Sequence, residues 1–339
     1  MSRRWNELQW DGKPGHYEVY YVTFTDRASG VGFWIRYTMV APLPETGEEA
    51  TCSLWLCAMD RADPTRNVGV KSSLPAASLS ATADPFRLEV GEAWLSDHGM
   101  RGAIEADGKR HEWELEWQPR LPAYGHVHAL LRAAKLAKTV LFLPHPDLEV
   151  SGTVRLGERR FDVAGARGGQ AHLWGSKHAS RWAWVHCSDF ADVDGATRDG
   201  AFVDGVSVFV PRFGRELGPN TPVVGRFDGA DLNSTGPLAV TRNPSDFDLT
   251  GWRFEATGRP LRFRGTVSAR REDLVGVTYH DPDGEHAYCY NSEVADMRLE
   301  VLRRESRSWV KVDELRADGR AHFEYAQRVP IDGVELKIA

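Results

Sequence analysis

The chain has 339 residues, 42% of them hydrophobic and 27% charged, with a formal net charge of −6. That length suits one large or two medium domains with a substantial core, and Lys and Arg are scattered without the basic stripe that would argue for a nucleic-acid partner. No apolar run approaches the ~18 residues of a membrane span, and residues 1–10 lack the apolar stretch of a secretory signal, so a cytoplasmic protein is expected.

Strand patterns begin at residues 17–25, 31–40 and 52–59. Side chains two apart on a strand share a face, which puts Trp34 with Arg36 and sets Phe33, Ile35 and Tyr37 opposite. Arg36 in that position suits anchoring of a ligand carboxylate or carbonyl, with Trp34 beside it. Cys52 and Cys57 are five apart and face opposite ways, so they neither bridge nor chelate. With Cys187 and Cys289 they are expected as reduced, buried thiols. No CxxC or HExxH spacing appears, which argues against zinc. In His111-Glu-Trp113-Glu-Leu115-Glu-Trp117 the apolar residues fall on one face and the Glu on the other, the mark of a half-buried antiparallel strand.

Residues 126–139 have helix-favouring composition and run into the strand-like Val140-Leu-Phe-Leu143, which Pro144-His-Pro146 is expected to end. A boundary near residue 150 then divides the chain into 1–150 and 151–339. Residues 150–157 and 161–165 read as a hairpin leading into the richest stretch of the chain, residues 169–190. There His172 shares a face with Trp174, and Trp182, Trp184 and His186 share one on the next strand. Aromatic rings grip an apolar ligand while an imidazole moves protons. Asp189, on the other face from His186, acts as an acid only if a bulge or strand end re-aims it. Further strands follow at 206–210, 261–269, 275–280, 297–302 and 321–328, punctuated by turns such as Asp228-Gly229 and Asp281-Pro282-Asp283-Gly284. Between them, Tyr288-Cys-Tyr290-Asn-Ser-Glu293 mixes phenols, an amide and a carboxylate, and offers Tyr290 as a ligand-lining group. Many short strands with regular turns mean an all-β sandwich or barrel. A faint echo between residues 86–119 and 252–284 fits two similar β domains.

Three pieces, in this order, resemble a known family: Gly32-Phe-Trp34-Ile-Arg36-Tyr37, Val150-Ser-Gly152-Thr-Val, and Gly169-Gln-Ala-His172-Leu-Trp174-Gly175 followed by Trp182-Ala-Trp184. The family is the two-domain lipocalin-like one of hydroxyneurosporene synthase-type carotenoid hydratases, AttH-like proteins and related pericyclic cyclases. The resemblance implies two lipocalin-like antiparallel β-barrel domains packed together, with a ligand pocket in or between them. It also implies polyprenoid or polyketide substrates and no need for a metal or nucleotide cofactor. In the carotenoid hydratases an acid with a nearby Tyr follows the His-x-Trp-Gly motif. Here no Tyr-x-Asp stands at that distance, and the nearest acids are Asp189, Asp192 and Asp194. The fold therefore carries over better than the hydration chemistry.

The first reading is an enzyme that hydrates, isomerises or cyclises a hydrophobic small molecule (a terpenoid, lipid or polyketide) without a cofactor. His172, His186 and Asp189 would handle protons, and Trp174, Trp182, Trp184, Trp34, Arg36 and Tyr290 would shape the pocket. The second is a non-catalytic lipophile carrier or sensor on the same fold. A carbohydrate-active protein is the third, and it lacks an obvious pair of carboxylates at glycosidase spacing.

Overall fold

A computed structural model of the chain describes residues 5–127, 138–212 and 215–339. The helix expected over 126–139 falls largely outside them. The described residues form two antiparallel sheets of twelve strands each, with one parallel pairing in the second. In the first sheet the neighbours run Val68–Pro75, Thr51–Asp60, Val31–Ala41, His16–Asp26, Arg159–Gly175, Thr139–Leu156, Lys109–Pro119 and Gly99–Ala106, then three short strands ending at Leu79–Ala83. The second is built around Arg181–Cys187, which lies between Phe202–Arg212 and Ser308–Gln327, and the latter pairs with His286–Glu305. Each sheet wraps its own apolar core as a nearly closed, lipocalin-like barrel.

The chain passes from one sheet to the other between Gly175 and Arg181, not near residue 150. The hairpin of Thr139–Leu156 and Arg159–Gly175 is held on both sides by first-sheet strands, Lys109–Pro119 and His16–Asp26. Nor does Pro144-His-Pro146 end its strand. The ladder shifts register between Phe142 and His145 and again between His145 and Leu148. Such bulges absorb the missing proline N–H donors.

Several central strands are buried on both faces. In His16–Asp26, Tyr20, Val22 and Phe24 fill the first barrel, while Tyr17, Val19 and Tyr21 face outward into a third apolar cluster. Trp34, Trp55 and Cys57 of the first sheet join that cluster, as do Trp182, Trp184, Tyr279 and Cys289 of the second. This third core is the seam between the barrels. The faces expected for Trp34 and for Trp182 with Trp184 are the observed ones, and all four cysteines are buried and free. The barrels touch closely: a Cβ at Gly32 would lie 2.3 Å from the Glu293 carbonyl oxygen, and one at Gly169 2.6 Å from His186 Nε2. Ser188 Oγ donates to the Gly168 carbonyl across the junction (3.0 Å).

Candidate functional site

Most of the buried charge in the seam comes from side chains that alternation turns outward from one barrel into the other. Asp204 accepts hydrogen bonds from His186 Nδ1 (3.1 Å) and Trp184 Nε1 (3.2 Å). His126 Nε2 lies 2.8 Å from the same carboxylate but out of line for a hydrogen bond. Burial opposes ionisation of Asp204, yet the two imidazoles outweigh it and hold the carboxyl below its ordinary value. The His186 ring stacks 5.9 Å from that of His322. His322 Nδ1 in turn lies 2.6 Å from Glu293 Oε2 but out of line for a hydrogen bond; Oε2 accepts from the Thr23 hydroxyl of the first barrel. Glu293 is fully buried, and its Oε1 has no hydrogen-bond partner among the described residues.

A third carboxylate, Glu324, accepts from Trp182 Nε1 and from the Tyr279 hydroxyl (3.2 Å). The Tyr21 phenol is buried in the same seam and feels these charges. Burial first, then the charges of Asp204, Glu324 and Glu293, keep its proton on well above the ordinary tyrosine range, with Arg36 opposing. Arg36 is held over the rings of Trp34, Trp55 and Tyr279, with centroid distances of 4.6, 5.4 and 4.4 Å.

At one end of the seam, the linker between the sheets plants His178 between Tyr17 (4.3 Å) and the parallel rings of Trp182 and Tyr279 (5.5 and 5.4 Å). Its Nδ1 lies 2.6 Å from Asp281 Oδ1, and Arg328 donates to Oδ2 at 2.6 Å. Burial would raise the Asp281 pKa, but the His178 and Arg328 contacts win and hold it at about 2. A carboxylate that accepts from Nδ1 fixes the tautomer of an imidazole and leaves Nε2 for proton transfer. The partner of His178 lies 103 residues away.

Of the residues singled out in the sequence, Trp34, Arg36, Trp182, Trp184 and His186 are brought together in the seam. His172 and Trp174 are not: their rings, 4.8 Å apart, lie in the first barrel. His172 stacks on Tyr20 (4.1 Å), and its Nε2 lies 2.8 Å from Glu18 Oε1. Its Nδ1 lies 2.8 Å from the Trp5 carbonyl oxygen. Tyr290 faces the core of the second barrel and accepts from the Ile331 N–H at 2.6 Å. Asp189 is clamped by Arg27 (Nε at 2.8 Å) from the first barrel and Arg320 (3.3 Å) from the second. Asp189→Asn is expected to lower stability by about 1–2 kcal/mol, less than a sealed pair because Arg27 is half exposed, and to leave ligand binding in the seam unchanged. Thermal melting together with probe titration checks both halves.

A surface hollow of about 410 Å³, lined by Leu238, Arg242, Glu255 and Arg262, lies on the second barrel. It is open, and its Arg262 and Glu255 pair with each other at 3.3 Å. Nothing there matches the concentration of unpaired buried atoms in the seam, where Arg36, His186, Asn291 and Glu293 each have at least one. Sequence reasoning missed Asp204, Glu324, His322 and Tyr21. The one available signal was a carboxylate or imidazole inside an apolar strand, as in Ala321-His322-Phe323-Glu324-Tyr325.

No family model matches the chain. It is 29% identical over 299 residues to the uncharacterized protein Rv0493c of Mycobacterium tuberculosis (strain ATCC 25618 / H37Rv), a match covering 86% of this chain and 83% of that one. The uncharacterized protein MT0513 of strain CDC 1551 / Oshkosh matches to the same extent. Among solved structures, an AttH candidate from Nitrosomonas europaea superposes with a TM-score of 0.50 at 12% identity, covering 93% of this chain and 92% of that one. Kievitone hydratase from Nectria haematococca superposes with a TM-score of 0.51 at 10% identity, covering 93% and 89%. The fold of this chain is thus the AttH-like, lipocalin-type pair of barrels.

Proposed function

We propose that the chain is an enzyme that hydrates, isomerises or cyclises a hydrophobic small molecule in the seam between its barrels. One observation carries this reading: buried polar atoms without partners gather in the seam, among aromatic rings contributed by both barrels. A native protein pairs nearly all such atoms, and each exception asks for an explanation. A bound substrate supplies one. The fold shared with kievitone hydratase is consistent with it.

In this proposal the proton carriers are Glu293, through its unpaired Oε1, and Tyr21. His322 and His186 hold and relay protons behind them, with Asp204 orienting His186. Protonation of a carbon–carbon double bond creates a cation that the faces of Trp34, Trp182 and Trp184 stabilise. Capture by water, with return of a proton to the carrier, gives a hydrated product. Loss of a different proton gives an isomer, and attack by an internal double bond followed by proton loss from the ring cation gives a ring. His172 and Asp189 hold structure in this scheme.

Incubation with prenylated phenols, polyprenols, fatty-acyl compounds and polyketides in heavy-oxygen water tests it, read by chromatography and mass spectrometry. A product that gains one labelled water marks hydration. A product of unchanged mass and shifted retention marks isomerisation or cyclisation. Tight binding without conversion favours a carrier, and binding of soluble sugars alone sinks both readings.

A further inference from the structure

Arg36 is 4% exposed, and neither its Nε nor its Nη1 has a hydrogen-bond partner among the described residues. No carboxylate of the described residues comes within 4.0 Å of its nitrogens to form an ion pair. The carboxylates of the seam each accept at least one hydrogen bond: Asp204 from His186 and Trp184, Glu293 from Thr23 (with His322 Nδ1 at 2.6 Å), Glu324 from Trp182 and Tyr279. The three rings around Arg36 stabilise its charge through their faces. Faces accept little from N–H groups in the guanidinium plane, so the donors stay unsatisfied. A buried charge with unmet donors is costly and persists where something binds it.

We infer that Arg36 anchors the oxyanion of the ligand, a planar delocalised group with two oxygens (a carboxylate or the enolate of a 1,3-dicarbonyl) on an apolar skeleton. This rests on the seam being the ligand site. The planar guanidinium matches such a group in geometry as well as charge. The apolar skeleton follows from the surroundings, since Trp34, Trp55, Val277 and Tyr279 belong to one buried cluster. A further donor without a partner among the described residues, Asn291 Nδ2, shares the strand face of Cys289 in that cluster.

Calorimetric titration of the full chain with decanoate, acetylacetonate and decan-1-ol tests the inference, alongside Arg36→Met, Arg36→Lys and Trp184→Ala. Decanoate is expected to bind wild type at least tenfold more tightly than decan-1-ol. Acetylacetonate competing with decanoate would point to an enolate as the natural group, and failure to compete to a carboxylate. Arg36→Met should abolish the preference for decanoate and melt at or above the wild-type temperature, because it removes an unpaired charge. Arg36→Lys should weaken decanoate about tenfold, since an ammonium lacks the planar fork. Equal affinity for decanoate and decan-1-ol, or a preference that survives in Arg36→Met, overturns the inference and leaves the seam as ligand site. So does an Arg36→Met protein that melts well below wild type, which would make Arg36 a structural cation. If no probe binds, or Trp184→Ala changes nothing, the seam reading itself fails.

Discussion

Glu18→Gln is expected to lower stability by about 3 kcal/mol at neutral pH and to remove much of the loss of stability in acid. Glu18 is fully buried, and its hydrogen-bond partners among the described residues all carry N–H or O–H groups. The backbone N–H groups of Gln9 and Trp10 donate to it at 2.8 and 2.9 Å, and the Tyr20 hydroxyl does so at 2.9 Å. His16 and His172 complete the set at 2.9 and 2.8 Å. Burial alone would raise its pKa, but these contacts hold it down at about 2, against an ordinary value of 4.5. A depressed carboxyl contributes stability above its unfolded pKa and loses it as pH falls through the folded one. The window is therefore roughly pH 5 to 2, and the shift converts to about 3 kcal/mol. Urea unfolding at pH 7 and pH 3 reads both effects. A variant that unfolds at the wild-type urea concentration at pH 7 refutes the account. Faster amide exchange at Gln9 and Trp10 is the local counterpart, because Glu18 ties that segment to the barrel.

Glu293→Gln should behave in the opposite way. Glu293 is as deeply buried as Glu18, but one of its oxygens has no partner. The substitution keeps shape and volume, so the melting temperature should hold or rise, as at sites where function is kept at the expense of stability. Turnover of whatever substrate the panel identifies should fall by about 10²–10⁴-fold, the usual contribution of a positioned proton carrier. His322→Gln should reduce turnover less, since His322 acts behind Glu293. If Glu293→Gln turns over normally and melts as low as Glu18→Gln, Glu293 is a structural carboxylate and the proposed chemistry fails. The two carboxylates are alike in burial and differ in how completely their oxygens are paired, and that is the property the two measurements compare.

Local pattern made much of this legible. The alternation in His111–Trp117 marks a barrel strand, and Trp113, Leu115 and Trp117 are buried in the first core. Period-two spacing put Trp34 with Arg36 and Trp182 with Trp184 and His186, since the pleat fixes which side chains share a face whatever the sheet later meets. The prolines at 144 and 146 misled, because a bulged ladder tolerates what a regular one rejects. His172 misled too. It sits beside Trp174 in a motif that looks like a site, but its partners, Glu18 and the Trp5 carbonyl, lie more than 150 residues earlier.

The sequence by itself determined the all-β class, the turns and the facing of each strand, because these follow from backbone stereochemistry and from apolar side chains leaving water residue by residue. Only the tertiary structure decided which outward face would be covered by the second barrel. That packing brings Thr23 to Glu293, 270 residues apart, and sets Arg36 among rings of both barrels. A buried charge is defined by what surrounds it, and its surroundings here come from strands far apart in the chain.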